Sequence, residues 1–128
     1  IGVRIVATNR HERIEDQIQN EIGSMLLRDL KDPRIGFASV TRVKLSGDKR
    51  EAKVYISVYG TEEEKNKTME ALASAKGFVR TELGRRIKLR HTPDIRFVLD
   101  ESLEQGAKVM EILARLDSDG STPDGEGE

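Results

Sequence analysis

The residues whose types and spacing could do chemistry are cations. Lys76, Arg80, Arg85, Arg86, Lys88 and Arg90 follow the small pair Ser74-Ala75 and bracket Gly77. Between Lys76 and Arg96 there are seven Lys+Arg against two Asp+Glu. That chemistry is non-covalent: ammonium and guanidinium groups hold phosphate oxygens. Small residues let a second backbone come close, and a helix opening there would offer unpaired amides to an anion. A helix connector with a solvated basic face has the same composition, and this stretch alone fits both readings.

Reactive constellations are not evident. His11 and His91 are far apart and lack neighbours at ligand spacing, so surface imidazoles explain them better than metal ligands. Glu62-Glu63-Glu64 suits the first turn of a helix, where the dipole favours acids. Ser102 has a capping role and no paired base. The Gly-rich phosphate loop of nucleotide hydrolases is absent, and there is no Cys. A small α/β hydrolase, with Arg34 holding an anion in the Asp32–Gly36 loop, is the enzyme alternative. An adaptor using the long first helix is a third class.

Elements must position these cations, and the chain supplies them in order. Asn9, with Glu12 three residues on, caps a helix whose apolar stripe is Ile14, Ile18, Ile22, Met25, Leu26 and Leu30. Pro33 ends it. Residues 37–45 read as a strand whose phase changes, which a bulge near Thr41 reconciles. Residues 51–59 alternate cleanly, with Ala52, Val54, Ile56 and Val58 on one face. The two form an antiparallel hairpin. Arg42, Lys44, Lys49, Lys53, Tyr55 and Tyr59 then fall toward an exposed face, where they offer a weaker set of additional contacts to a polyanion, although ordinary surface residues are the favoured reading. Thr61 and Glu64 box a second helix. It runs to about Ala73, kinks over Ser74–Gly77, and resumes as a basic helix to about Lys88. Ile95, Phe97 and Leu99 mark a third strand. Ser102 and Gln105 box a last helix with the stripe Val109, Ile112, Leu113 and Leu116.

The chain has 128 residues, 36% of them hydrophobic and 35% charged, enough for one domain with an ionic surface. Net charge is −1, so the basic block is local and points to a polyanion on one face. Residues 1–8 read as a flexible lead-in, too short and too charged for a secretory signal. Residues 9–116 form the domain. Residues 117–128, with five acids and no base, read as a disordered acidic tail that competes with a polyanion for the basic helix. No apolar run is long enough to span a membrane. The order is α-β-β-α-kink-α-β-α, an α+β layer with a three-stranded sheet and helices on one face.

Six segments carry a resemblance. They are Leu30-Lys31-Asp32-Pro33-Arg34, Ala52-Lys53-Val54-Tyr55-Ile56-Ser57-Val58, Ala75-Lys76-Gly77, Leu83-Gly84-Arg85-Arg86-Ile87, Leu89-Arg90-His91-Thr92-Pro93 and Phe97-Val98-Leu99-Asp100-Glu101-Ser102. Together and in order they resemble the ribosome-binding factor A family, over about residues 9–116. The resemblance implies a type-II KH-like fold in which Ala-x-Gly replaces the Gly-x-x-Gly loop that clamps nucleic acid in ordinary KH domains. It implies a cytoplasmic, monomeric, non-enzymatic RNA-binding factor without cofactor or metal. Its implied partners are the free 30S ribosomal subunit, small-subunit rRNA and assembly GTPases. Its implied roles are rRNA maturation, including processing of the precursor's 5′ end, and cold-shock adaptation. The RNA-binding residues would be Ser74, Ala75, Lys76, Gly77, Arg80, Arg85, Arg86, Lys88 and Arg90. A generic single-stranded RNA-binding KH-like module is the nearest alternative.

Overall fold

Helix α1 (Arg10–Arg28) leads into strands β1 (Phe37–Leu45) and β2 (Glu51–Tyr59); helix α2 (Glu62–Arg86), strand β3 (Asp94–Leu99) and helix α3 (Ser102–Ser121) follow. This computed structural model describes residues 9–121, without the side chains of 103–104 and 117–121. The expected lead-in, residues 1–8, and residues 122–128 of the acidic tail lie outside the described residues.

The N-terminus of α1 is closed by Asn9, whose Oδ1 accepts from the Glu12 amide at 2.8 Å. Ile14, Ile18, Ile22 and Met25 are buried along one stripe. The amides of Asp29 and Leu30 both donate to the Met25 carbonyl, and the helix stops short of Pro33.

The strands lie in the order β1-β2-β3. β1 and β2 are antiparallel; β2 and β3 are parallel. The register slips between Val40 and Arg42, so the expected bulge at Thr41 is present. It lets Ala38 and Val40 face the same way as Val43 and Leu45 although the two pairs are out of phase in sequence. The inward face of β2 (Ala52, Val54, Ile56, Val58) is buried against α1 and α2.

Helix α2 begins with the expected reciprocal box. The Glu64 amide donates to Thr61 Oγ1 at 3.2 Å, and the Thr61 amide donates to Glu64 Oε1 at 2.7 Å. The two helices expected on either side of the kink are one helix of 25 residues, and Ser74, Ala75, Lys76 and Gly77 all lie inside it. The magnitudes explain why. One interior Gly costs about 1 kcal/mol. Leu72, Val79 and Leu83 are fully buried on both sides of it, at about 1.5–3 kcal/mol each. Packing therefore carries the helix through.

Helix α3 behaves differently. Its described side chains from Gln105 to Leu116 are all exposed, including Val109, Met110, Leu113 and Leu116 at 54–66%. Among the described residues, it is tied down at its base. Asp100 Oδ2 accepts from the Thr41 hydroxyl at 2.6 Å, and the buried Lys65 ammonium lies 3.4 Å from Glu101 Oε2. Ser102 is the first helical residue, not the residue before it. Its amide donates to Asp100 Oδ1 at 2.9 Å, and the Gln105 amide donates to the Glu101 carbonyl at 2.9 Å, so the donors of the expected Ser102–Gln105 box are met by Asp100 and by the backbone instead.

Candidate nucleic-acid interface

Burial along α2 has a gap. Leu72 and Val79 are buried, whereas Ala73, Ser74, Lys76, Gly77 and Phe78 between them are exposed and Ala75 is half-buried. A groove of about 590 Å³ opens there between α2 and β3. Met69, Ala73, Ile95 and Phe97 line it with apolar atoms; Lys76, Arg80 and Arg96 line it with cations beside the open backbone of Gly77, and Glu51 and Asp94 add two carboxylates to its rim. A Cβ built on Gly77 would meet nothing within 4 Å. The small residues thus leave room beside the cations, as the sequence suggested.

The continuity of α2 removes one expected component. Lys76 and Arg80 do not sit at a helix start, because the amides around them belong to the helix ladder. Any phosphate held here is held by side chains, without the anion-binding end of a helix.

The basic residues also divide. Lys76 and Arg80 share the groove. Arg80 reaches Asp94, Nε to Oδ1 at 3.2 Å, and its Nη2 donates to the Thr92 carbonyl at 3.2 Å. Arg85 pairs with Glu82 at 2.9 Å and remains largely in solvent. Arg86 is structural. Its Nη2 lies 2.7 Å from Asp29 and 3.4 Å from Glu82, and its Nη1 lies 3.5 Å from Glu21. The Asp29 hydrogen bond holds its guanidinium above the ordinary value, and the group fastens the end of α2 to the end of α1. Lys88 is exposed, and Arg90 lines a separate hollow with Arg10 and Lys49. The positive field is therefore thinner than the sequence count. Within the basic block, Arg80, Arg85 and Arg86 all have carboxylate partners.

Arg96 was not among the sequence candidates, yet it lines the groove. Its signal was available: it alternates with Ile95 and Phe97, so it must point away from the core. Two other groups take roles the sequence did not show. His11 Nε2 lies 2.9 Å from the Leu45 carbonyl oxygen, joining α1 to β1. Arg34 is bound to Asp32 at 2.7 Å, which holds that carboxyl below its ordinary range and occupies the guanidinium once offered as an anion holder.

The profile of the family described as "Ribosome-binding factor A" matches residues 10–113. A Ribosome-binding factor A from Caldanaerobacter subterraneus subsp. tengcongensis is 51% identical over 108 residues, covering 84% of this chain and 88% of that protein. The solution structure of a Thermotoga maritima protein described as a ribosome binding factor A superposes with a TM-score of 0.65 at 41% identity, over 73% of this chain and 90% of that one. A homology model of Thermus thermophilus ribosome binding factor A, as fitted into the cryo-EM map of a complex with the 30S subunit, gives a TM-score of 0.59 at 27% identity, over 70% of this chain and 93% of that one. An α-β-β-α-β-α chain with an Ala-Lys-Gly groove, matched over nearly its whole domain, belongs to the ribosome-binding factor A family.

Proposed function

We propose that this chain associates with the free 30S subunit through small-subunit rRNA and assists maturation of that RNA, including processing at the precursor's 5′ end. The observation that carries the reading is the groove between α2 and β3. It sets Lys76, Arg80 and Arg96 around the open backbone of Gly77, in a family named for ribosome binding. Phosphates lie against the three cations, while the apolar floor receives a sugar or base edge. Nothing in this mechanism changes a covalent bond. Binding energy favours one RNA conformation over others, and the population shifts toward it. The wider expectations go with this reading: a cytoplasmic monomer that cooperates with assembly GTPases and serves cold adaptation.

Cosedimentation with purified 30S and 70S particles tests it. The wild type is expected to pellet with 30S and not with 70S. Lys76→Ala with Arg96→Ala should pellet less, and its log-log salt slope should be shallower by about 1.4 (two single-strand phosphate contacts at about 0.7 each). Failure of the wild type to pellet would remove the function. Equal pelleting of the two proteins would remove the groove. Neither substituted residue has an ion-pair partner among the described residues, so the pair is a cleaner probe than Arg86.

A further inference from the structure

We propose that the open face of the sheet, opposite α1 and α2, is a second binding surface, for single-stranded RNA, meeting the rim of the α2 groove at Glu51, Asp94 and Arg96. It rests on the reading above that RNA is the partner.

The register lays out the surface. Lys44 pairs with Lys53, and Lys53 with Arg96, so three cations stand side by side across all three strands. None of the three has a carboxylate partner among the described residues. Like charges directly opposite on a sheet face destabilise it, so this row is a repulsive arrangement that a polyanion would relieve. Arg42 extends the row by one step along β1, with its guanidinium carbon 4.2 Å from the centroid of the Tyr55 ring. The nearby carboxylates are already engaged or peripheral. Glu51 and Asp94 close the face at one end, and Asp94 is tied to Arg80. Asp100 accepts from Thr41.

A second observation, independent of charge, gives the class of nucleic acid. At the far end of the same face Phe37 pairs with Tyr59, and both rings are 82% exposed. Ser39 and Ser57 keep the face low between the rings and the cations. From Tyr59 to Lys53 the strand covers about 20 Å. Cations to track a backbone and free aromatic faces to stack bases are the two elements of single-strand binding. A duplex hides its base faces and could use only the cations. α3 does not occupy the surface, because its described side chains from Gln105 to Leu116 are in solvent.

The test uses the full chain and fluorescence anisotropy with short fluorescein-labelled oligouridine and a labelled RNA hairpin stem. Lys44→Ala with Lys53→Ala should weaken oligouridine binding and reduce the log-log salt slope by about 1.4. Phe37→Ala with Tyr59→Ala should weaken it about ten-fold and leave the slope unchanged. Thermal unfolding of the lysine variant should match or exceed that of the wild type, and that of the aromatic variant should fall only by the few degrees that loss of one exposed cross-strand pair costs, which separates loss of contact from loss of fold. The proposal is overturned if both variants bind oligouridine as the wild type does, or if the hairpin stem binds as well as the single strand. It is also overturned if the wild type ignores oligouridine while still pelleting with 30S, the result expected of a face made for an acidic protein. In each of these cases 30S pelleting by the wild type keeps the reading of function intact; its absence would remove that reading as well.

Discussion

Among the described residues, Asp32, Asp48, Glu64 and Asp100 hold their carboxyl groups below the ordinary values, each for a local reason. Asp32 is hydrogen-bonded by Arg34, Asp48 by the Ser46 hydroxyl, Glu64 by the Thr61 amide and Asp100 by the Thr41 hydroxyl. All four favour the charged form in the folded chain more than in the unfolded one. Their contribution to stability is therefore complete above the ordinary values of 3.8 for Asp and 4.5 for Glu, and is lost as pH falls through the lowered folded values. Urea midpoints measured from neutral pH downward should be flat at first and then drop on the acid side. Glu64→Gln should lower the midpoint at neutral pH and flatten the acid slope. A Gln variant whose slope matches the wild type would show that the α2 cap is not a source of the pH dependence.

Two glycines in α2 look alike in sequence and differ in the fold. A Cβ on Gly77 meets open space, whereas one on Gly84 would lie 2.8 Å from Thr92 Oγ1. Gly77→Ala should stabilise the fold by about 0.5–1 kcal/mol, read by denaturant unfolding. The same substitution should weaken 30S binding, because the methyl group enters the groove. Gly84→Ala should stabilise less than Gly77→Ala, since Thr92 must move. The elements themselves were largely readable. The β2 alternation, the Thr41 bulge and the Thr61–Glu64 box are encoded in side-chain period and in residues three apart. The continuity of α2 was not, because a local break signal at Gly77 competes with burial on both sides that no local window contains. The pairing of Arg86 with Asp29, 57 residues away, depends on topology, and so does the convergence of Arg96 on the α2 groove. Basic residues counted along the chain overstate the field for this reason: the count does not see their partners.

At the scale of the whole molecule, charge is separated although the total is −1. Cations collect on the groove and the open sheet face, while residues 117–128 carry five acids and no base. Deleting residues 117–128 should raise RNA affinity at low salt, and the gain should vanish at high salt as the attraction is screened. It should leave the unfolding midpoint where it is, since the exposed side chains of α3 up to Leu116 already add little to the core. Unchanged affinity at low salt would discard the competing tail. Strand β2 stands at the opposite extreme, in the middle of the sheet. It is bound along both edges, antiparallel on one side and parallel on the other, and its inward residues are buried. Opening it requires dismantling both neighbours, whereas an isolated, solvent-facing helix opens by itself. In heavy water, the amide protons of Ala52 to Val58 should be the last to be replaced by deuterium, at the rate of global unfolding, long after those of Gln105 to Leu116 have gone.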